Sequence, residues 1–304
     1  MGASAHCRSQ KGRAIFRKLL AGTDLTPASD AVLSCLGQLK PLGLEEVILT
    51  HVVYVAHSVG LAETLTEQAE PELARQKELL ESQGLRVRAE VMTGIPAHKL
   101  ADRADEEEVS ALVLGSHSRS LLQGLLAGSV SLGVLGITTK PVLLVRLEVA
   151  AAAEGESCRL ACTQLFERIL FPTDFSETAE RAFHYLQHIV GTTRSRVTLL
   201  HVQDRSRLSP HLLSRLEEFN EIDSERLGRL RDRLLQQGAI EVDTKLEFGL
   251  PLPVILDTLG QRDFSLVVMG SQGRGFVSEL ALGSVANGIA RKASGPVLFV
   301  PMPR

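Results

Sequence analysis

The sequence predicts an α/β protein made of two similar domains, each with a mostly parallel five-stranded sheet. Three observations predict this. The chain has 304 residues, which suits two domains of about 150 residues each. Short apolar segments alternate with longer amphipathic ones, which is typical of buried strands joined by helices. This alternation occurs twice in the same order along the chain.

The repeat is defined by segments that match in order. Lys18–Asp24 corresponds to Arg168–Asp174 at an offset of 150 residues, and Leu112–Ser116 corresponds to Val267–Ser271 at an offset of 155. The five extra residues of the second copy are therefore expected between residues 201 and 249. A period of this size is a whole domain and not a solenoid unit.

Each copy contains its own series of elements. Short apolar runs that do not alternate with polar residues predict strands buried on both faces. Because parallel strands are joined by right-handed crossovers, the pattern predicts a mostly parallel, Rossmann-like sheet with helices on both faces, and we expect the open order 3-2-1-4-5. The predicted strands are 18–23, 46–54, 86–92, 110–115 and 141–146, then 168–173, 196–203, 240–247, 264–270 and 296–301; the helices of the first copy are predicted at about 27–40, 61–83, 95–107 and 128–138.

The domains are placed at residues 15–147 and 166–302. Between them, residues 148–165 are rich in Ala, Glu, Gly and Ser and show no strand period. We interpret this segment as a linker, helical at most in part. The final apolar strand of each domain would lie at a sheet edge and needs cover. Pairing of the two last strands within one chain would give a pseudo-dimer, and two such chains would give a homodimer.

Composition excludes several classes of function. The net charge of −3 gives no general affinity for nucleic acid or for an anionic membrane, and aromatic residues make up only 4% with no Trp. No run of 18 apolar residues predicts a membrane span. Cys7, Cys35, Cys158 and Cys162 have no metal or redox spacing, so we interpret them as reduced thiols of a cytoplasmic protein.

A glycine-rich loop follows the fourth strand of the second copy. Its pattern is Gly270-x2-Gly273-x9-Gly283-Ser284. Gly270 would leave room for a ligand, and Gly273 would take a positive φ angle that opens backbone N–H groups to an anion. Gly283 and Ser284 would begin a helix whose N-terminus favours phosphate, with Ser284 as its cap. Arg274 would add positive charge.

Glycine spacing alone is equally typical of simple turns between a strand and a helix. The position of the loop favours the phosphate interpretation. In a sheet of order 3-2-1-4-5 the first and fourth strands are neighbours at the point where the winding reverses, which is where ligands bind. Asp174 follows the first strand, so it would converge with the loop on one crevice.

With these motifs the sequence resembles the universal stress proteins over both copies, from about residue 15 to 302. The resemblance rests on the family motif G-x2-G-x9-G-[ST] and on the Asp after the first strand. It implies an adenine nucleotide alpha hydrolase-like fold that binds ATP or AMP, with Mg²⁺ accompanying ATP. The residues that it implies around the nucleotide are Pro172, Thr173, Asp174, Val202, Met269, Gly270, Gln272, Gly273, Arg274, Gly283, Ser284, Val285 and Ala286.

The first copy departs from this pattern because Ser118 replaces the second glycine of its loop. A residue with a Cβ is disfavoured at positive φ, so this copy is expected to bind weakly, to bind AMP or to be empty. Gly22 stands in place of Pro172 and is expected to loosen that corner. The corresponding residues of this weaker second site are Thr23, Asp24, Val52, Gly115, Ser118, Gly128, Ser129 and Val130.

Two functions of different classes follow from the resemblance. One is a nucleotide-dependent binding or regulatory module of the stress response. The other is a slow ATPase or self-phosphorylating enzyme that uses the same site. Binding is favoured, because a catalytic site needs a positioned base and metal carboxylates and the sequence offers only Asp174. His51 and His201 end equivalent strands with no acid at a fixed spacing, and we interpret them as neutral residues packed beneath the site.

Overall fold

The computed structural model describes residues 14–54, 61–116, 128–152, 155–160, 164–204, 216–273 and 282–302. Within these ranges the first half of the chain alternates strands and helices. Its elements are β1 (Lys18–Thr23), α1 (Pro27–Ser34), a 3-10 helix (Leu36–Leu42), β2 (Glu46–Val53), α2 (Leu61–Glu81), β3 (Arg86–Thr93), α3 (Pro96–Glu106), β4 (Ala111–Ser116), α4 (Ser129–Ile137) and β5 (Val142–Ala152).

The second half repeats this order after a short additional strand, β6 (Gly155–Leu160). Its elements are β7 (Arg168–Thr173), α5 (Glu177–Thr193), β8 (Arg196–Asp204), α6 (Leu216–Gln237), β9 (Glu241–Gly249), α7 (Pro251–Gln261), β10 (Leu266–Gly270), α8 (Ser284–Lys292) and β11 (Val297–Val300). The predicted bounds of β1 and β7 agree with the structure at both ends.

The strands of the two halves form one sheet in the described part of the chain. Its order is β3-β2-β1-β4-β5-β11-β10-β7-β8-β9. Each half has the predicted order 3-2-1-4-5, and the strands within a half are parallel. The halves join where β5 and β11 pair antiparallel, with Val297 opposite Leu144 and Phe299 opposite Val142.

Helices cover both faces of this sheet, so side chains of the central strands are buried on both sides. One apolar cluster contains Leu19, Leu33 and Phe183 on the face of α1, α2, α5 and α6. The other contains Leu20, Leu114 and Ile289 on the face of α3, α4, α7 and α8. The edge strands β3 and β9 consist almost entirely of exposed and half-buried positions. Two continuous layers of apolar contacts therefore fix the strand ends that carry the site.

The segment between the halves differs from its predicted form. β5 continues to Ala152, and β6 pairs with it antiparallel, with Leu147 opposite Leu160. The interpretation of 148–165 as a linker without strand was therefore wrong for most of its length. The physical reason is that the cross-strand backbone ladder holds residues whose own strand propensity is low.

The first helix also differs from the prediction of residues 27–40. α1 ends at Ser34, and the chain continues as a 3-10 helix that contains Pro41 and ends at Gly43 with φ 97°. Pro41 lacks the N–H that an α-helix would need there, which favours the tighter, shorter turn. No helix among the described residues is long and apolar enough to cross a membrane.

Candidate functional site: a cleft at the strand ends of the second half

The cleft begins where two neighbouring strands end at different levels. β7 makes its last pairing at Thr173, opposite His201, whereas β8 continues to Asp204 and pairs there with Gly249 of β9. On the side of β7, the last three residues of β8 therefore extend past their neighbouring strand. Their backbone polar groups face the crevice at the point where the winding of the sheet reverses, which is where ligands bind in such sheets.

A tight turn carries Asp174 from the end of β7 to the start of α5. Phe175 adopts a left-handed φ of 56°, and its N–H donates to Thr173 Oγ1 at 3.0 Å. Ser176 caps α5 by accepting from the N–H of Ala179, while its own N–H donates to Asp174 Oδ1 at 3.0 Å. A non-glycine residue at such a φ costs roughly 1–3 kcal/mol. The turn therefore holds the Asp174 carboxylate at the mouth of the crevice against a local strain.

The three loop glycines are required for close packing, which corrects the reasons expected from the sequence. Gly273 lies outside the left-handed region. A Cβ there would lie 2.9 Å from Asp174 Oδ2. A Cβ on Gly270 would lie 2.9 Å from the Thr178 side chain of α5, so this glycine admits a helix and not a ligand. The loop and the carboxylate thus meet at van der Waals distance, and a side chain at Gly273 would separate them.

The far end of the loop returns to its beginning before α8 starts. The N–H of Gly283 donates to Ser271 O at 2.8 Å, and the N–H of Ser271 donates to Val300 O at 2.9 Å. A Cβ on Gly283 would lie 3.3 Å from the Gln272 Cα, so this crossing is also tight. These bonds anchor both ends of the loop to the sheet and aim the start of α8 at the crevice.

The start of α8 presents backbone donors to the cleft. Gly283 is the N-cap, and the N–H of Asn287 donates to Gly283 O at 2.8 Å. The N–H groups of Ser284, Val285 and Ala286 belong to the first turn, where an α-helix supplies no acceptors of its own. Ser284 is therefore the first helical residue and not the predicted cap, and its side chain is exposed. The predicted helix start is confirmed, and its donors suit an anion.

These parts enclose a cleft of about 790 Å³. Its lining includes twelve of the thirteen residues predicted for the nucleotide, namely Pro172, Thr173, Asp174, Val202, Met269, Gly270, Gln272, Gly273, Gly283, Ser284, Val285 and Ala286. The remaining one, Arg274, lies outside the described residues. Leu200 and Ile255 complete an apolar slot between the sheet and α7, so one end of the cleft is apolar and the other is lined by backbone donors.

Several lining residues were missed by sequence reasoning. They come from the face of α6 that turns toward the cleft and from the start of α7, namely Phe219, Ile222, Asp223, Arg226, Leu250, Pro251, Leu252 and Pro253. The residues 219, 222, 223 and 226 follow helical spacing, which is a signal for one face of a helix. The sequence could not show that this face borders the cleft, because the five-residue offset obscured the alignment of α6.

His201 has an acidic neighbour in the structure, which corrects the expectation that it lacks one. Its Nδ1 lies 2.7 Å from Thr173 O, and its Nε2 lies 3.4 Å from Asp223 Oδ2. The Gln203 side chain donates to the same Asp223 oxygen at 3.1 Å, and Arg226 lies 3.4 Å from the other oxygen. The hydrogen bond from Gln203 to Asp223 therefore ties the end of β8 to α6 directly beside the cleft.

The aromatic ring of Phe175 adds an apolar contact to this group. It packs 4.5 Å from the His201 ring, and the Arg226 guanidinium lies 5.3 Å from its centre. Ion pairs also lie on the outer surface of α6, since Arg229 contacts Glu225 and Arg233 contacts Glu180. No group of three or more acidic, His or Cys side chains that could hold a metal occurs in the described ranges.

The first half repeats the framework of the site. Leu25 has a left-handed φ of 60° after Asp24, and Gly128 starts α4 with almost the same dihedral angles as Gly283. Ser129 and Val130 occupy the first turn of α4, and Gly115 accepts from the Ser131 hydroxyl at 3.0 Å. Ser118, the residue expected to separate the two copies, lies outside the described residues.

The side chains around this second framework differ from those of the first. Asp24 Oδ1 accepts from the hydroxyls of Thr26 and Ser29, and Thr23 donates to the buried Gln76 at 2.7 Å. Ser29 corresponds to Ala179 in the second half, which has no hydroxyl. In the first half these polar side chains at the end of β1 thus bond to one another.

The corner at Gly22 is packed and not loosened as expected. A Cβ on Gly22 would lie 2.8 Å from Leu114 Cδ2 and 3.3 Å from Leu100 Cδ1. Leucine side chains therefore occupy the volume next to the position that corresponds to Pro172. Val52, at the end of β2, is half-buried and packs against the same apolar cluster.

Comparison with known families agrees with this duplicated architecture. The sequence profile described as "Universal stress protein family" matches residues 15–146 and again residues 165–301. The two matches cover most of the chain and coincide with the two halves of the sheet. Family membership and the internal repeat thus rest on the same residues.

Individual relatives include both single and double forms. A universal stress protein of Mycolicibacterium smegmatis is 25% identical over 299 residues, covering 93% of this chain and 96% of that protein. One of Methanocaldococcus jannaschii is 29% identical over 155 residues, covering 43% of this chain and 96% of that protein. A universal stress protein structure from Archaeoglobus fulgidus has a TM-score of 0.69 at 25% identity, covering 95% of this chain and 99% of the other.

Proposed function

The chain belongs to the universal stress protein family, and from this premise we propose that its second half binds an adenine nucleotide, ATP or AMP, as a regulatory module. The observation that carries the proposal is the cleft itself. An apolar slot, an exposed strand edge, a tight glycine loop and a helix N-terminus converge on one space at the switch point of the sheet.

The apolar end of the cleft suits the base. Pro172, Val202, Met269 and Ile255 offer flat apolar walls on which a purine can pack. The backbone of β8 beyond His201 supplies donors and acceptors at the edge of this slot. A purine has both apolar faces and a polar edge, so it satisfies walls and strand edge together.

The opposite end suits phosphate. The N–H groups of Ser284, Val285 and Ala286 carry the positive end of the α8 dipole. Gly273 brings the loop backbone against Asp174, so the loop closes the space between the base slot and the helix start. Mg²⁺ would accompany ATP on its phosphates, and the proposal does not depend on it.

For the first half we propose weak binding or none. The polar side chains of Thr23, Asp24, Ser29 and Gln76 at the end of β1 are engaged in internal hydrogen bonds. A ligand there would have to displace these bonds and gains no new apolar slot, because Leu100 and Leu114 already pack on Gly22. One nucleotide per chain is the resulting expectation.

We further propose that the two halves act as a pseudo-dimer in a cytoplasmic protein. The antiparallel β5–β11 pairing supports it, because this contact relates the last strands of two similar domains. Homodimers of the full chain would need a different surface from the one that β5 and β11 already use.

The test is calorimetric titration of the full chain with ATP, AMP and adenosine, together with identification of nucleotide released on denaturation. We expect one site per chain, tighter binding of ATP and AMP than of adenosine, and loss of binding in Gly273→Asp. The matched control is Gly228→Ala, which lies in α6 with open space around it.

Turnover is measured on the same samples with labelled ATP. Because the proposed role is binding, we expect the wild type to hydrolyse ATP no faster than Gly273→Asp does. Absence of any adenine-nucleotide binding by the wild type would overturn the proposal. A hydrolysis rate that depends on Gly273 would replace it with the enzyme alternative.

A further inference from the structure

Arg146 is a buried cation that crosses from the first half of the protein into the second. It lies on β5 opposite Ser116 of β4, and only 3% of its surface is exposed. Its guanidinium donates to the carbonyl oxygen of Ala290 and lies 3.4 Å from that of Ile289. Both carbonyls belong to α8, the helix whose first turn faces the cleft.

These carbonyls are at the negative end of the helix. The last C=O groups of an α-helix have no partner within it, and a cation there is stabilising. The N–H of Ala293 also donates to Ile289 O at 2.9 Å, so Arg146 completes a cap that the helix begins on its own. Burial lowers the pKa of Arg146 to about 10, which leaves the side chain cationic at neutral pH.

The residue of the second half that corresponds to Arg146 cannot make the same contact with the first half. Val145 pairs with Gly115, and the corresponding pair of the second half is Val300 with Gly270. The residue after Val300 is Pro301, which has neither a cationic side chain nor an N–H. Pro301 therefore cannot give the end of α4 the donor that Arg146 gives to the end of α8.

The braced helix is also short and tightly packed. α8 has nine residues, and Ala290 follows Ser284 by six, so Arg146 acts about 9 Å along the helix from its first turn. Ile289 and Ala290 are fully buried, and a Cβ on Gly288 would lie 2.3 Å from a Leu252 methyl carbon. A short helix whose inner side is packed this closely shifts as a unit, so movement at its C-terminus moves its first turn.

We propose that Arg146 is a positioning residue for the nucleotide site, through which the first half sets the affinity of the second half for phosphate. The inference rests on the proposed nucleotide function of the cleft. It adds that the phosphate-binding helix is held at its far end by the other domain. The first half then has a role even if it binds no nucleotide.

The test compares Arg146→Met and Arg146→Lys with Arg291→Met in the full chain. Arg291 lies in the last turn of the same helix, but it is exposed and donates to the Asn287 side chain. The Arg291→Met substitution therefore removes one positive charge from the same helix end and leaves the buried contact of Arg146 in place. ATP and adenosine affinities are measured calorimetrically, together with urea unfolding and hydrogen exchange of α8.

We expect Arg146→Met to weaken ATP binding about tenfold, equivalent to about 1.4 kcal/mol. Adenosine binding should change less than about twofold, because adenosine makes no phosphate contact with the first turn of α8. Arg146→Lys should retain most of the ATP affinity, and Arg291→Met should behave like the wild type. Amides at the end of α8 should exchange faster in Arg146→Met.

A purely structural role would lower ATP and adenosine affinity together, and this result would overturn the inference. Equal ATP affinity in folded Arg146→Met and wild type would also overturn it. If Arg146→Met does not fold, Arg146→Gln and Arg146→Lys replace it, with ATP affinity expected in the order Arg, Lys, Gln; equal affinities contradict the inference. A wild type that binds no nucleotide would instead overturn the proposed function, while exchange at α8 still tests the brace.

Discussion

The carboxylate of Asp174 occupies the space in which a side chain on Gly273 would begin, since a Cβ at that position would lie 2.9 Å from Asp174 Oδ2. The two residues are 99 positions apart in sequence and come from the ends of neighbouring strands. Their contact joins the apolar end of the cleft to the end that is lined by backbone donors. The glycine of the motif at position 273 is thus explained by its close approach to the Asp174 carboxylate.

Gly273→Ala should weaken nucleotide binding by about tenfold or more. The added methyl group forces either the carboxylate or the loop to move, and overpacking of this kind costs about 1–3 kcal/mol. The measurement is calorimetric titration with ATP. Gly228→Ala, with nothing within 4 Å of its added Cβ, serves as the control and should bind as the wild type does. Full affinity in Gly273→Ala would show that the loop tolerates separation from Asp174.

Ser284→Ala should lower ATP affinity without lowering stability, whereas Ser176→Ala should lower stability with little change in ATP affinity. Ser284 is the first helical residue of α8 and Gly283 is the N-cap, so loss of the Ser284 hydroxyl should leave urea unfolding unchanged and reduce ATP affinity about threefold to tenfold. Ser176 accepts from the Ala179 N–H, so its loss should cost about 1 kcal/mol of stability with little change in affinity. A stability loss in Ser284→Ala would contradict the assignment of Gly283 as the cap.

The hydrogen of His201 should reside on Nδ1 when the ring is neutral. Nδ1 faces the Thr173 carbonyl, which can only accept, and the same holds for His51 and the Thr23 carbonyl at 2.9 Å. Long-range ¹⁵N–¹H correlation spectra would identify the tautomer of each ring. Asp223→Ala should shift the Nε2 resonance of His201 and leave His51 unchanged. Equal shifts in both rings would contradict the contact between His201 and Asp223.

The first half should lose a stabilising group in acid. The hydrogen bond from Arg88, at 2.6 Å, lowers the pKa of Glu107, which also contacts Lys18 and Arg103. A lowered pKa means that the ionised form stabilises the fold above the unfolded value of about 4.3 and that this contribution disappears as the pH falls through the folded value.

Urea unfolding of wild type and Glu107→Gln at several pH values measures this contribution. We expect a wild-type advantage at pH 7 that narrows below about pH 4.3. Glu81→Gln is the control, because Glu81 forms a single exposed pair with Lys77 at 3.6 Å, worth roughly 0.3–0.5 kcal/mol. A constant difference between wild type and Glu107→Gln across this range would contradict the ion-pair role of Glu107.

The isolated second half, residues 165–304, should form a homodimer. Without the first half, β11 loses its antiparallel partner and exposes the apolar edge of Val297–Val300. Light scattering measures the mass, and Leu298→Lys is expected to reduce self-association. A monomeric wild-type fragment would show that β11 does not need a strand partner.

The fold was largely predictable because each apolar run was bounded by turn residues. β1 and β7 begin and end at the predicted residues, and each half of the sheet has the expected strand order. β6 could not be predicted, since Gly155–Leu160 has little strand propensity and is held by pairing with β5. α1 was predicted too long because the helical sequence pattern does not reveal the change from an α-helix to a 3-10 helix at Cys35.

The site was predictable where a motif sets it. Gly273 and Gly283 were found from spacing, although the close contact with Asp174 that requires Gly273 is a tertiary feature. The sequence could not show that Asp223 lies beside His201, because only the packing of the helix brings the two side chains together. Arg146 is similar: nothing in its strand indicates that its partners lie 144 residues away in Ala290.

The pairing of β5 with β11 also has a consequence for how assembly depends on amount. Two separate chains would pair their last strands only above a threshold concentration. Here the connection through β6 keeps both strands in one molecule, with an effective concentration in the millimolar range for a short tether. Dilution therefore cannot separate β5 from β11, and their pairing does not depend on the amount of protein in the cell.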